Sequence, residues 1–286
     1  MRELKDGTKV LTIGFSPCPN DTYIFDALVN GKIDTGSLRF EPLLQDVEEL
    51  NRGALIGLLD ITKLSYRAYA EAAQSYILCD SGSALGRGVG PLLVTAAPGL
   101  DTDSDFTVAI PGLHTTANFL FRMFYPHVTR FCEMVFSEIE DAVAAGDVDA
   151  GVIIHENRFT YKQKGLFRIS DLGEAWETET RQPIPLGGIA IRRSLPGQLC
   201  RQVNGLIRQS VEFADLNPEG TEDYVALHAQ SMEPAVRRQH IGLYVNRYSV
   251  DLGDDGRAAI RYFYDKALTS NVLKTPLPEP IFISDL

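Results

Sequence analysis

One pattern of residues occurs twice in the chain and limits the folds that the chain can adopt. Each copy begins with a helix start of the capping-box type, at residues 46–49 and again at residues 137–140. Each helix pattern ends at a glycine, Gly57 or Gly146, which is followed at the third position by an aspartate and then by an apolar run. The order helix, Gly-x-x-Asp, buried strand therefore predicts two copies of one α/β unit.

A second pair of segments supports this repetition. Residues 11–15 and residues 106–110 are short apolar runs, and each is followed by a break containing proline and then by a helix pattern. The predicted N-caps of these helices are Asn20 or Asp21 in the first segment and Thr115 or Thr116 in the second. Alternating strands and helices of this kind predict an α/β fold with two lobes, each a mainly parallel sheet flanked by helices.

Two glycine-containing segments are predicted to cross between the lobes. They are Gly82–Thr95 and Pro185–Ile191, and two crossing strands would form a hinge. The resulting division gives a larger discontinuous lobe of residues 1–96 and 189–286, and a smaller inserted lobe of residues 97–188. The chain after residue 194 is predicted to be mainly helical.

The charge balance limits the partners of the protein. The chain has 27 Lys and Arg against 38 Asp and Glu, which gives a net charge of −11, and no basic cluster offsets it. Nucleic acids and anionic membranes attract basic surfaces, so neither is an expected partner. The first apolar stretch ends at Pro17, which is too short for a signal peptide or a membrane span, and the expected location is the cytoplasm. Four scattered cysteines without a C-x-x-C pair predict neither a disulfide framework nor a thiolate metal site.

A ligand cleft is expected where the strands end and the helices begin. In this chain those places are residues 17–22, 63–66, 113–116 and 155–158. Helix starts offer free backbone N–H groups and a partial positive charge, so an anionic small molecule is the expected ligand. Further candidate cleft residues are Asn20, Asp21, Arg87 and Arg158.

His155 follows a buried strand pattern directly, at the expected rim of the cleft. An imidazole has an ordinary pKa of ~6.5 and can act as a general base, although a structural histidine fits the same position equally well. The His155-Glu156 pair begins a zinc-protease motif, but Phe159 occupies the position of the second histidine ligand, so a metal site is not predicted.

Three other residues have two interpretations each. The glycine-rich segment around Arg87 lacks the nucleotide-binding motifs, and Arg87 is either a surface charge or a ligand to an anion. Cys18 is either a nucleophile or a structural residue between two prolines. His114, beside the threonine pair, is a weaker site candidate.

Five segments resemble one enzyme family. They are SPCPNDT at 16–22, ITKLSY at 61–66, SGSALGRGVGPLLV at 81–94, PGLHTTA at 111–117 and VIIHENRFTY at 152–161. On these motifs, and along nearly the whole chain from Leu11, the sequence is similar to the 1,4-dihydroxy-6-naphthoate synthases of the futalosine route to menaquinone.

This resemblance implies the two-lobed fold of type II periplasmic-binding proteins. It implies a lyase that converts cyclic dehypoxanthinyl futalosine, a small anionic aromatic substrate, into the dihydroxynaphthoate without a cofactor. It also implies that His155 is the proton acceptor. The implied substrate-binding residues are Lys63, Leu64, Ser65, Thr115 and Thr116.

Two alternatives stay open beside this prediction. One is the chorismate dehydratase of the same pathway, which resembles the family in fold. The other is a cytoplasmic binding or sensor protein of the same architecture without catalytic activity. A cofactor-dependent enzyme is not favoured, because the sequence contains no cofactor-binding motif.

Overall fold

The structure is a computed structural model that describes residues 1–229, 233–270 and 272–286. The strands are β1 (Arg2–Glu3), β2 (Lys9–Phe15), β3 (Leu38–Leu44), β4 (Ile61–Ser65), β5 (Tyr76–Leu78), β6 (Ala84–Gly86), β7 (Leu92–Thr95), β8 (Thr107–Ile110), β9 (Arg130–Glu133), β10 (Ala150–Ile153), β11 (Phe167–Asp171) and β12 (Ile184–Arg192). The α-helices are α1 (Pro19–Val29), α2 (Val47–Leu55), α3 (Tyr66–Ala72), α4 (Thr116–Phe124), α5 (Phe136–Ala145), α6 (Asn157–Thr160), α7 (Leu172–Thr180), α8 (Gly197–Leu216), α9 (Pro218–His228), α10 (Pro234–Tyr244), α11 (Arg247–Val250) and α12 (Gly253–Thr269). Short 3-10 helices occupy Tyr161–Lys164 and Ile283–Asp285.

The strands form two sheets with helices around them, as an α/β fold with two lobes requires. The larger sheet contains β1 to β6 and β12, in the order β3-β2-β4-β12-β5, with β1 beside β2 and β6 beside β12. The smaller sheet has the order β11-β7-β10-β8-β9. The part of the chain after residue 194 is helical from α8 to α12, as predicted.

Each sheet is mixed, which corrects the prediction of mainly parallel sheets. β2 runs parallel to β3 and β4, and β8 runs parallel to β9 and β10. β12 is antiparallel to β4, β5 and β6, and β7 is antiparallel to β10 and β11. The physical reason is the edge of the sheet at which the chain enters to form β7 and β12. β7 and β12 enter their sheets after segments from the other sheet, at the edge where the parallel strands end, and therefore run the opposite way.

The passage between the sheets is short in both directions. Residues 87–91 join β6 of the larger sheet to β7 of the smaller one, and α7 with residues 181–183 leads from β11 back to β12. At the first passage a Cβ on Gly90 would lie 2.3 Å from the Cα of Gly173, so the backbones meet too closely for a side chain. The predicted division into residues 1–96 with 189–286 and residues 97–188 stays a prediction. The strand pairing assigns residues 92–95 to the smaller sheet and residues 184–188 to the larger one.

The repeated Gly-x-x-Asp pattern has the same structural role in both sheets. Asp60 accepts a hydrogen bond from the backbone N–H of Thr12 at 3.0 Å, and Asp149 accepts one from the backbone N–H of Thr107 at 2.7 Å. Each aspartate precedes its own strand and so ties that strand to a neighbouring parallel strand. Gly146 ends α5 in the left-handed conformation at φ 79°, which a glycine adopts without strain.

Two predicted helix starts are confirmed, Asp46 before α2 and Thr115 before α4. The other two are wrong, because α1 and α5 begin earlier than predicted, and α5 begins at Phe136 after Val135, whose side chain forms no cap bond. Thr115 caps α4 and accepts a hydrogen bond from the backbone N–H of Asn118, as predicted. Helix α1 begins earlier than predicted, at Pro19, with Cys18 as an N-cap that forms no side-chain cap bond. Proline suits the first helical position because its missing N–H would be unpaired there in any case. Asn20 and Asp21 therefore lie within the first turn, and their side chains are available for other contacts.

One apolar cluster continues from one sheet to the other. It includes Leu64 of the larger sheet, Leu93 and Val152 of the smaller sheet, and Phe263 of α12. The Phe263 ring lies 5.7 Å from the ring of Trp176, which is fully buried. This shared core holds the two sheets together beside the cleft. Within the described residues, no helix is both long and apolar enough to cross a membrane.

Candidate active site

A cavity lies between the two sheets and is lined by residues of both. The structure brings eight of the predicted site residues together in its wall: Asn20, Asp21, Lys63, Leu64, Ser65, Thr115, Thr116 and His155. Apolar side chains such as Val89, Ile154 and Leu186 complete the lining. A mostly apolar cavity with a few convergent polar groups is typical of sites for small organic molecules.

Asp21 and Lys63 form a buried ion pair on the side of the larger sheet. The Lys63 Nζ lies 3.0 Å from Asp21 Oδ1 and donates to the carbonyl of Gly82 at 3.2 Å. Asp21 Oδ2 accepts hydrogen bonds from the backbone N–H and the hydroxyl of Ser16. Both charges are thus paired and hydrogen-bonded, as burial requires.

Ser65 lies where β4 ends and α3 begins. Its backbone N–H donates to Asn51 Oδ1 at 2.8 Å, and its hydroxyl accepts from Asn51 Nδ2 at 3.2 Å. Asn51 therefore fixes this end of the strand. The neighbouring Leu64 is fully buried and lines the cavity.

His155 projects into the cleft from the end of β10. Its backbone has a positive φ of 56°, an unusual conformation for a residue other than glycine. The ring packs edge to face against Phe136 at 4.8 Å. Its Nε2 atom is buried and forms no hydrogen bond with any described residue. A residue with a strained backbone, whose buried ring nitrogen has no partner, is typical of a functional position.

The surroundings keep the His155 ring neutral. Burial lowers the pKa of His155 to about 4, the negative charge of Asp21 acts in the opposite direction, and the positive charge of Lys63 lowers the pKa further. The ring is therefore uncharged at neutral pH and can accept a proton.

The threonine pair lies at the start of α4, on the side of the smaller sheet. The Thr115 hydroxyl donates to the Gly112 carbonyl at 2.8 Å in addition to capping the helix. The Thr116 hydroxyl donates to the carbonyl of Leu186 at 2.7 Å, which links α4 to β12 of the larger sheet. Both hydroxyls are thus engaged. Thr116 and Ala117 line the cavity and belong to the first turn of the helix, where backbone N–H groups have no helical acceptor.

Two predicted cleft residues do not line this cavity. Arg87 is exposed on the surface, donates to the carbonyl of Arg181 at 2.7 Å and lies 3.6 Å from Glu177. Arg158 is largely buried, pairs with Asp171 at 3.1 Å and also donates to the carbonyl of Gly90. Both guanidinium groups are occupied by the protein itself.

Cys18 and His114 have structural contacts. Burial raises the pKa of the Cys18 thiol well above its usual value, so the thiol stays protonated and unreactive. His114 Nδ1 lies 2.6 Å from Glu48 Oε1, and the His114 backbone N–H donates to the same carboxylate. This contact joins the loop before α4 to α2.

Sequence reasoning missed His240 and Tyr244, which approach the site from α10. Tyr244 lines the cavity, and its ring lies 4.7 Å from that of His240. The His240 ring stands nearly parallel to the His155 ring at 6.1 Å. No motif surrounds these residues, and only the helical periodicity of α10 could have indicated that they share one face. Among the described residues, no three His, Cys, Asp or Glu side chains come together as a metal site.

The fold and the cleft define the class of protein. The structure is similar to the alkanesulfonate-binding protein of Xanthomonas axonopodis pv. citri, with a TM-score of 0.69 at 14% identity, covering 99% of this chain and 98% of the other. It is also similar to a Candida albicans protein described as having the generic periplasmic-binding-protein fold, with a TM-score of 0.66 at 12% identity over 94% of this chain and 92% of the other. The chain thus has the two-lobed periplasmic-binding-protein fold, as predicted.

The sequence relatives give the family. A family model described as menaquinone biosynthesis matches residues 11–269. A Thermus thermophilus protein named 1,4-dihydroxy-6-naphthoate synthase is 45% identical over 96% of this chain and 100% of its own length. A Streptomyces coelicolor protein of the same name is 42% identical over 95% and 97%. The chain belongs to this menaquinone-biosynthesis family. A crystal structure of an Archaeoglobus fulgidus protein shares 30% identity and a TM-score of 0.87 over 92% of this chain and 98% of the other.

Proposed function

We propose that this protein is a 1,4-dihydroxy-6-naphthoate synthase in which His155 is the general base. Its substrate would be cyclic dehypoxanthinyl futalosine, and it would release the dihydroxynaphthoate and a small sugar-derived fragment. The observation that carries the proposal is the buried, unpaired Nε2 of a neutral His155 at the cleft. Family membership supports the choice of reaction.

The apolar part of the cavity fits the aromatic body of this substrate. Val89, Ile154 and Leu186 supply apolar contacts, and an aromatic ring gains by leaving water for such a surface. The substrate carboxylate would bind at the start of α4, where the N–H groups of Thr116 and Ala117 and the helix dipole favour a negative charge. The hydroxyls of Thr115 and Thr116 stabilise the start of α4 by donating hydrogen bonds to backbone carbonyls of the protein.

The proposed chemistry needs a base and the exclusion of water. His155 Nε2 takes a proton from the substrate as a carbon–carbon bond of the cyclic skeleton breaks, and formation of the aromatic ring drives the step forward. Asp21 favours the imidazolium that forms, while Lys63 balances its charge and prevents protonation before the substrate binds. The hydrogen bond from Thr116 to Leu186 links α4 to β12 beside the cavity, and closure of the cleft around the substrate would exclude water from the reacting atoms.

The test is turnover by the purified protein without added metal or nucleotide. Wild type is expected to convert cyclic dehypoxanthinyl futalosine into the naphthoate, measured by absorbance and mass. His155→Ala is expected to lose ~100 to 10,000-fold of the rate. The matched control is His127→Gln, because His127 is an exposed histidine that does not line the cavity.

The other outcomes distinguish the alternatives. Tight binding of the compound without product would indicate a binding or sensor protein. Conversion of chorismate in place of the futalosine compound would indicate a chorismate dehydratase. Normal turnover by His155→Ala would remove His155 from the role of base.

A further inference from the structure

Behind His155 lies a second pair of buried titratable side chains, Glu156 and His240. His240 is fully buried, and Glu156 is 5% exposed. Their facing atoms, Glu156 Oε2 and His240 Nδ1, are 3.6 Å apart, and neither forms a hydrogen bond with a described residue. Two buried polar atoms that face each other in this way need a proton between them, because each would otherwise carry the full cost of its lost hydration.

Hydrogen bonds on the other side of His240 fix which nitrogen carries a hydrogen. Asp21, paired with Lys63, only accepts hydrogen bonds, so Asn20 must present its NH₂ group to it, as the 2.8 Å contact from Nδ2 to Oδ1 shows. The Asn20 carbonyl then faces His240 Nε2 at 2.8 Å and can only accept. His240 Nε2 therefore bears a hydrogen, and in the neutral ring Nδ1 is a lone pair directed at Glu156.

We propose that Glu156 and His240 are positioning residues that hold one proton between them, resting on the Glu156 carboxyl, and thereby keep the region behind His155 free of net charge. The carboxyl O–H is directed at His240 Nδ1 across the 3.6 Å separation, His240 Nε2–H donates to Asn20, and Asn20 donates to Asp21. One continuous row of polar contacts thus connects Glu156 with the Asp21–Lys63 pair.

Burial acts on both partners in the direction that this arrangement requires. It raises the pKa of Glu156 and lowers the pKa of His240 well below its ordinary value, so the neutral form of each is favoured. The other titratable and charged groups around the pair are His155, Cys18, Tyr244, Glu140, Asp21 and Arg158. Burial raises the pKa of Cys18 and of Tyr244, so these two stay uncharged near neutral pH.

The arrangement matters for His155 because the two imidazole rings are stacked at 6.1 Å. A bare carboxylate on the adjacent residue would favour the imidazolium form of His155 and remove the free base. With the proton in place, the charges that act on His155 are those of Asp21 and Lys63.

The proton is observable without any assay of activity. We expect the infrared difference spectrum between wild type and Glu156→Gln to contain the C=O stretch of a protonated carboxyl group. Nitrogen-15 NMR, with His240→Gln for assignment, is expected to show a neutral His240 ring with hydrogen on Nε2. An ionised Glu156 or a His240 imidazolium at neutral pH would overturn the proposal. These measurements hold whether or not the proposed function is correct.

The effect on catalysis rests on the proposed function and is tested by two substitutions. Gln at position 156 can still donate to His240 Nδ1, so Glu156→Gln is expected to keep kcat within about threefold of wild type. Leu cannot donate, so Glu156→Leu is expected to lower kcat by at least about tenfold with little change in KM. Loss of the shared proton at high pH leaves two facing acceptors, the Glu156 carboxylate and the Nδ1 lone pair of His240, and their repulsion should displace the His240 ring that stacks on His155. This displacement should lower kcat/KM of wild type at high pH, and the alkaline decrease should be absent in Glu156→Gln.

The control is Glu140→Gln, because Glu140 is another buried glutamate with a raised pKa, paired with Lys164 away from His240. It is expected to retain the alkaline decrease of wild type. The positioning role is overturned if folded Glu156→Gln loses as much kcat as Glu156→Leu, or if neither variant changes kcat or the pH profile.

Discussion

The two walls of the cleft differ in how far their polar groups are already satisfied. On the side of the larger sheet, Asp21, Lys63 and Ser65 all form hydrogen bonds or ion pairs within the protein. On the side of the smaller sheet, His155 Nε2 has no partner among the described residues, and the first N–H groups of α4 have no helical acceptor. The first wall fixes charge and position, whereas the second wall keeps groups available for a ligand.

The largest expected effect on stability comes from removing the Asp21–Lys63 ion pair on the side of the larger sheet. Lys63→Met leaves Asp21 as a buried, unpaired carboxylate, which costs about 3–5 kcal/mol in the free energy of unfolding. Urea denaturation measures this loss. The double variant Asp21→Asn with Lys63→Met is expected to recover part of it, since no charge is then left unpaired.

Lys164→Met is the matched control for a lysine in a partly exposed ion pair. Its effect should stay below about 1 kcal/mol. Equal losses in the two lysine variants would show that the Asp21–Lys63 pair has no special importance for stability.

The second prediction concerns His155 on the opposite wall and the pH dependence of kcat/KM. Because the pKa of His155 is lowered to about 4, its neutral form persists well below pH 6.5. The acidic decrease of kcat/KM should therefore have its midpoint near pH 4, with the fold monitored by circular dichroism. A midpoint near ~6.5, the ordinary value, would contradict the burial of this ring in the free enzyme.

The same shift links pH to stability. The folded state binds fewer protons at His155 than the unfolded state does, so stability is fully present above pH 6.5. It falls as the pH is lowered towards the folded-state pKa of about 4. Melting temperatures of wild type and His155→Gln over this interval measure the difference, and His155→Gln should show the weaker dependence.

The third prediction concerns Thr116, whose hydroxyl joins the two walls. Thr116→Val leaves the Leu186 carbonyl unpaired and is expected to cost about 1–3 kcal/mol of stability. It should also weaken binding of simple aromatic carboxylates, because the helix start shifts, as calorimetry would measure. Thr116→Ser keeps the hydroxyl and should restore both properties. Failure of Ser to restore them would show that the methyl group, and not the hydrogen bond, is required.

The smallest effect is expected at Arg87. Its guanidinium lies on the surface with Glu177 and the Arg181 carbonyl, outside both walls. Arg87→Ala should change stability by less than about 0.5 kcal/mol and leave turnover within about twofold of wild type. A large increase in KM would contradict this placement and indicate that Arg87 contacts the substrate.

The sequence predicted the parts of this site that depend on local order along the chain. Apolar runs followed by helix starts indicated the strand ends, and these ends carry Asp21, Lys63, Thr116 and His155 to one cavity. Such positions are predictable because parallel strands end at the same edge of a sheet. The Thr115 cap was also correct, since a cap bond joins residues only three positions apart.

Other features were not predictable from local order. The sheets are mixed because β7 and β12 arrive from the opposite sheet, and strand direction depends on where the chain enters. Arg87 and Arg158 were candidate cleft residues because of their positions in the sequence. In the structure Arg87 forms an ion pair with Glu177, and Arg158 forms one with Asp171. His240 was missed because it belongs to a helix distant in sequence.

The sequence by itself determined the alternating elements, the repeated Gly-x-x-Asp unit, the strand-end position of His155 and the resemblance to the family. Each of these depends on residues that are neighbours along the chain. Only the tertiary structure decided the charge and pairing of these groups. Burial between the two sheets lowers the pKa of His155, and the approach of α10 sets His240 beside Glu156. Hydration and electrostatic interaction depend on distances in space, and for these residues folding sets those distances.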